Sequence, residues 1–226
     1  MMKRFLRQVV WLAAMLAASA TAAAADGGWR ELFNGKDLAG WKANADAGAF
    51  TVADGTLKAH ATHPRNRGHL FYTGERTEGL ERFRNFELEA VVRGEPGSNS
   101  GIFFHTDMET RDGVLHLKNG YEVQLNSAEK EKRKTGSLYA VVDLDRSPVD
   151  ETQWFTVAIR VQGDRITVRV NGRTTVDYTE PPGVVAQRPR ERKGRVLRAE
   201  GGAIALQAHD DKSTFYFKSI RVRALP

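Results

Sequence analysis

The chain has 226 residues, with 34 Lys and Arg against 28 Asp and Glu, a formal charge of +6, and no cysteine. The missing thiols exclude disulfides, cysteine nucleophiles and thiolate metal sites. The charge excess gives no argument for a nucleic-acid partner: without Lys3, Arg4 and Arg7, which lie in a leader-like segment, 31 basic residues face 28 acidic ones, a net of +3.

That leader is the first element. Lys3, Arg4 and Arg7 precede the apolar run VVWLAAMLAASA (residues 9–20), and TAAAAD follows with small residues at 23 and 25. A basic start, a short apolar middle and an A-x-A end describe a secretory signal, cleaved near Ala25–Asp26, and a periplasmic or secreted destination. The apolar run is shorter than the roughly 20 residues that span a bilayer, so no stable membrane insertion is expected after cleavage. An uncleaved anchor is the competing reading. Residues 26–226 then have the length of one domain with a sizeable core; they do not specify an oligomeric state.

Most of that domain reads as short strands. Phe86–Val92 opens with strict alternation, and Gly101-Ile-Phe-Phe-His105 follows, with His105 counted on the side of Gly101 and Phe103. In Gly120-Tyr-Glu-Val-Gln-Leu125, Tyr121, Val123 and Leu125 share one face, while Glu122, Gln124 and Asn126 share the other. Phe155, Val157, Ile159 and Val161 alternate with more polar neighbours, as do Ile166, Val168 and Val170. Turn chemistry at Gln162-Gly163-Asp164 and Asn171-Gly172 makes residues 153–178 a three-stranded meander, ended by Pro181-Pro-Gly183. The basic run Arg188–Arg195 reads as a solvated loop or as a patch for an acidic partner. In Ile204-Ala-Leu-Gln-Ala-His209, Gln207 and His209 point away from Ile204, Leu206 and Ala208, and a last run carries Phe215, Phe217, Ile220 and Val222. No long 3.6-residue period follows the leader. Ten or more strands in about 200 residues predict an all-β protein of two packed antiparallel sheets, a sandwich or jelly roll.

Three strands therefore offer Glu, Gln and His side chains to outward faces. If those strands are neighbours, the side chains form one polar floor, with Ala203 and Ala205 leaving room above it. The competing reading is ordinary solvent-facing polarity on an antiparallel sheet.

Several motifs run in one order: Leu32-Phe-Asn-Gly-Lys-Asp-Leu-Ala-Gly-Trp41, Asn99-Ser-Gly-Ile-Phe-Phe104, Gly120-Tyr-Glu-Val-Gln124, Thr135-Gly-Ser-Leu-Tyr139, Trp154, Asn171-Gly172, Leu206-Gln207-x-His209 and Ile220-Arg-Val222. Together they resemble the 3-keto-disaccharide hydrolase family across residues 29–226. The resemblance implies a concanavalin-A-like jelly roll with its site on the concave sheet, and extracytoplasmic action on glycosides oxidised at C3 of glucose. Two departures stand out. The family often has Arg after SGIFF, where this chain has His105. It often has LQDHG near its end, where this chain has Leu206-Gln-Ala-His-Asp210, and strand parity turns Asp210 away from the site. Replacing Arg by His removes a permanent charge and a bidentate donor.

Ordinary glycosidases flank the bond with two carboxylates, and no clear partner for Glu122 is visible. A 3-keto sugar offers another route, in which a base removes the acidified C2 proton, the C1 substituent leaves, and water adds back. On this reading Glu122 or His209 is the base. His105, Lys134 or a bound divalent cation stabilises the enolate oxygen, and Tyr139 donates to the leaving oxygen. Gln124, Gln207 and Asn99 hold sugar hydroxyls, and Trp41 or Trp154 stacks on a sugar face unless it belongs to the core. His105, His209 and Glu122 would form a His/carboxylate metal set. The alternative is a non-catalytic, lectin-like carbohydrate-binding module.

Overall fold

A computed structural model describes residues 28–44, 46–64, 67–111, 114–184 and 194–226. The leader and residues 188–193 of the basic run lie outside them. Fourteen strands are described: β1 (Arg30–Glu31), β2 (Trp41–Ala43), β3 (Phe50–Ala53), β4 (Thr56–Ala59), β5 (Gly68–Tyr72), β6 (Phe86–Gly94), β7 (Asn99–Arg111), β8 (Val114–Lys118), β9 (Tyr121–Asn126), β10 (Phe155–Gln162), β11 (Arg165–Val170), β12 (Arg173–Thr179), β13 (Ala203–Ala208) and β14 (Phe215–Ala224). They form two antiparallel sheets, as expected. One runs β12-β11-β10-β6-β14-β4-β3, with β1 added to β14. The other runs β2-β5-β13-β7-β8, with β9 also paired to β7.

The first sheet follows the period-two rule. β6 alternates buried and half-buried residues throughout, and β10 does so up to the exposed Gln162, because one face meets the core and the other meets water. The meander forms as predicted. Asn171 and Gly172 both have positive φ, +47° and +78°, which the two-residue I′ hairpin between β11 and β12 requires. Phe86, Leu88, Val157, Ile159, Phe217 and Ile220 of this sheet form one core with Ile102, Phe104, Val123, Leu125 and Leu206 of the second.

The second sheet breaks the rule, since every residue of β5, β9 and β13 is buried. Its inner face joins the common core. Its outer face carries a smaller apolar cluster of Phe71, Leu80, Phe103, Ala203 and Ala205, with Met108 and Leu117 packed against it. A bulge divides β7: Phe103 pairs with Ala205 and Thr106 with Ala203, so Phe104 and His105 together oppose Ile204. His105 takes φ +52° there. Glycines flank the bulge on both sides. A Cβ on Gly202 would lie 2.3 Å from the His105 carbonyl carbon, and one on Gly120 would lie 2.5 Å from the Phe104 carbonyl oxygen.

Gly94 on β6 lies opposite Phe215 on β14, and a Cβ there would come 2.7 Å from the ring. Gly94→Ala is therefore expected to cost about 1–3 kcal/mol by overpacking, read as a lower denaturant midpoint with an unchanged slope.

Candidate active site on the outer face of the second sheet

Pairing between β7 and β9 sets the rows of the site. Phe103 lies opposite Glu122, Gly101 opposite Gln124 and Asn99 opposite Asn126. Across β13, Ala205 meets Phe103 and Gln207 meets His69 on β5. One outer row therefore runs Phe71, Ala205, Phe103, Glu122, and the next runs His69, Gln207, Gly101, Gln124. Glu122, Gln124, Gln207 and Asn99 share one face, as the sequence predicted. They are not solvated: Glu122 is 7 %, Gln207 5 % and Asn99 8 % exposed.

Gly101 makes room for the acid. A Cβ there would lie 2.6 Å from Glu122 Oε1, so the carboxyl leans over β7 where a side chain is missing. Burial pushes the Glu122 carboxyl up to about 7, against the pull of Arg195 and Arg67 and with a further push from Glu131. Arg195 Nη1 lies 4.0 Å from Glu122 Oε2. Tyr139 is anchored beside the same residue, its backbone N–H donating to the Glu122 carbonyl at 2.9 Å. Its ring lies between two guanidiniums, Arg133 at 4.5 Å and Arg195 at 4.8 Å.

The neighbouring row carries unanswered polar atoms. Gln124 donates through Nε2 to Asn99 Oδ1 at 2.8 Å, yet its Oε1 is buried without a partner, as are Gln207 Oε1 and His69 Nδ1. Burial, helped by Arg67 and His209, lowers His69 to about 4, so the ring is neutral at pH 7. Its Nε2 faces Gln207 Nε2 at 3.4 Å, and its ring meets Phe103 edge-on at 5.3 Å. Buried polar groups are nearly always satisfied. Two acceptors and a ring nitrogen left open on one face match a ligand rich in hydroxyls, which both donate and accept.

Several predicted residues do not belong here. Counting parity along an unbroken strand put His105 outward, but the bulge turns it aside. It is 2 % exposed and stacks on Phe86. Its Nε2–H donates to the Arg84 carbonyl at 2.9 Å, and its Nδ1 accepts the Arg198 N–H at 2.9 Å, so it has no lone pair or proton left for a substrate. Trp41 is core: its indole N–H donates to the Leu32 carbonyl at 2.8 Å and its ring packs edge-on against Tyr72. Lys134 Nζ donates to the Ala128 carbonyl at 2.6 Å, so it holds a loop. Trp154, the other stacking candidate, is 41 % exposed. It precedes β10 of the other sheet, between Arg93 and Lys218.

His209 lies just past β13, its Nδ1 2.8 Å from Asp210 Oδ2. Strand parity no longer applies there, so Asp210 turns toward the ring instead of away. Continuing the register places the Glu122 and His209 Cα atoms two strands and four residues apart, roughly 16 Å. They are two ends of one surface, and His105, Glu122 and His209 do not form a metal set. Among the described residues, no three His, Cys, Asp or Glu are grouped to hold a metal ion. The sequence reading missed Arg195, hidden in a charged run, and His69, whose strand GHLFY has no alternation to betray a face.

The family model for the 3-keto-alpha-glucoside-1,2-lyase-like domain matches residues 28–223. No curated protein matches the chain. Among solved structures, a protein from Parabacteroides distasonis provisionally named a glycosyl hydrolase has TM-score 0.66 at 19 % identity, over 88 % of this chain and 94 % of its own. A second protein of that name from the same organism has TM-score 0.62 at 21 % identity, over 87 % and 99 %. A Bacillus subtilis protein of unknown function with a galectin-like fold has TM-score 0.59 at 12 % identity, over 86 % and 94 %. At these identities the likeness carries the lectin-like jelly-roll fold.

The Glu122 shift has a thermodynamic signature. The folded carboxyl titrates at about 7 and the unfolded one near 4.5, so the folded state holds this proton more tightly. Relative to Glu122→Gln, wild-type stability is greatest below pH 4.5, falls as pH rises to 7, and is level above. Unfolding free energies at pH 4 and pH 8 are expected to show a relative loss of about 3 kcal/mol.

Proposed function

This chain belongs to the 3-keto-alpha-glucoside-1,2-lyase-like family, and we propose that it cleaves 3-keto-glucosides, 3-keto-disaccharides among them, by elimination across C1 and C2 with Glu122 as the acid–base group. The observation that carries this reading is a buried carboxyl titrating near neutrality on a face with open polar atoms. The family name denotes such an elimination. In water a carboxylate is a weak base, whereas one raised to about 7 is matched to a carbon acid near neutral pH.

Ionised Glu122 takes the C2 proton. The C–H electron pair becomes the C1–C2 double bond, charge passes through the C3 carbonyl oxygen, and the C1–O bond breaks with its pair on the departing oxygen. Arg195, beside the base, is the cation placed to meet charge on O3. Tyr139, tied to Glu122 through its backbone and with its ring against Arg195, donates to the leaving oxygen. Water then adds its hydroxyl at C1 and gives its proton back to Tyr139, while Glu122, its proton exchanged with solvent, protonates C2, which gives net hydrolysis. Gln124, Asn99, Gln207 and His69 bind hydroxyls, and the His209–Asp210 pair bounds the far end. Two-carboxylate hydrolysis is less well supported. Glu131, the acid that raises Glu122, accepts the Arg133 N–H at 3.0 Å and lies 3.6 Å from its guanidinium. The leader at residues 1–25 supports an extracytoplasmic setting.

Incubation with a 3-keto disaccharide is expected to release 3-keto-glucose, with kcat/KM rising with pH through about 7. Glu122→Gln is expected to lower the rate by about 10²–10⁴-fold; a near-wild-type rate overturns the assignment. In heavy water, deuterium is expected at C2 of the released sugar, and its absence means direct hydrolysis. Sugar binding without turnover in the wild type means a lectin-like module.

A further inference from the structure

His105 sits where a strand is least forgiving. A left-handed φ of +52° strains a residue other than glycine, and two glycines clear space around it. A core filler would satisfy that position with fewer demands. What the imidazole supplies is two opposed hydrogen bonds to two different segments.

One bond reaches Arg84, and the other reaches the backbone of residues 194–198. That strap crosses the end of the second sheet and is tied at three points. Its Gly194 carbonyl accepts the Gly120 N–H at 2.8 Å. Leu197 N–H donates to Glu180 Oε2 at 3.0 Å, an oxygen also held by the buried Tyr121 hydroxyl. Arg198 N–H donates to His105 Nδ1 at 2.9 Å. Between the first tie and the other two stands Arg195, which meets both Glu122 and Tyr139. The strap fixes where that guanidinium lies.

We propose that His105 is a positioning residue: by accepting the Arg198 amide at Nδ1, it holds the strap that keeps Arg195 against Glu122. The role takes its significance from the reading of Glu122 as the acid–base group, but its test needs no turnover. The charged and titratable groups around Glu122 are Arg195, Arg67, Arg133 and Glu131, with Tyr139 alongside. Arg195 is the strongest of the cations lowering it, so displacement of Arg195 moves the carboxyl upward.

The readout is the carbon-13 titration of the Glu122 carboxyl, identified by its absence in Glu122→Gln. Arg195→Gln is expected to raise the midpoint by about 1 pH unit. His105→Phe, which keeps the ring and loses both bonds, should raise it similarly and speed exchange of the Arg198 amide. His105→Asn, which places an acceptor near the Nδ1 position and tolerates positive φ, should restore the wild-type midpoint. A folded His105→Phe protein with the wild-type midpoint overturns the proposal, and so does an Arg195→Gln protein whose midpoint does not move. If His105→Phe does not fold, Glu180→Ala cuts the neighbouring tie; the same rise supports the strap and no rise overturns it. Full turnover by Glu122→Gln would sink the proposed reaction while leaving these titrations to stand.

Discussion

The site depends on one constraint: the middle of the second sheet is buried on both faces. β5, β9 and β13 bury every residue, so a carboxyl on the outer row loses most of its hydration without entering the common core. Desolvation then does what water would prevent: it pushes the Glu122 carboxyl up to about 7 and, three strands away, keeps His69 uncharged at neutral pH. The same sequence pattern on the first sheet gives a different result. There Glu87 and Glu89 alternate outward, stay partly exposed and pair with Arg223 and Arg221, under side chains that themselves reach solvent. Burial, not residue type, separates a candidate acid–base group from surface ion pairs that contribute little.

This contrast also explains what could be read from the sequence. The meander and β6 were legible because alternation records a wet face and a dry one. On β9 the alternation of Tyr121, Val123 and Leu125 with Glu122, Gln124 and Asn126 sorted the faces correctly, but could not show that both are covered. His105 was misplaced because parity fails at a bulge, and the residue that makes the bulge, Ile204 facing two partners, lies about a hundred positions away. Asp210 was misread for the related reason that it follows the last paired residue of β13. Trp41 is core and Trp154 lies exposed on the other sheet, which the sequence left open, since an indole's burial is decided by a distant carbonyl or by the end of a strand.

Arg195 shows how a segment distant in sequence brings a charge to the site. The resembling family often has Arg where this chain has His105. The fold brings one beside Glu122 from the strap, and position 105 holds the strap. A motif comparison sees only His105 where Arg is common, whereas the structure places a guanidinium 4.0 Å from Glu122 on another segment. The basic run is thus not wholly a solvated loop, because Arg195 is largely covered and Arg198 pairs with Asp107 and Glu200.

The bulge has one more effect. Before it, β7 turns Asn99, Gly101 and Phe103 outward, while beyond it Met108 packs onto that outer cluster, so the strand changes from odd to even numbering on a single face. β7 can therefore serve β9 on one stretch and β8 on the next without either partner dictating the other's phase. Deleting the extra residue at 105 would keep Asp107 and Met108 on their present faces in an unbroken alternation, whereas deleting one from the regularly paired stretch before it would turn that stretch's side chains over.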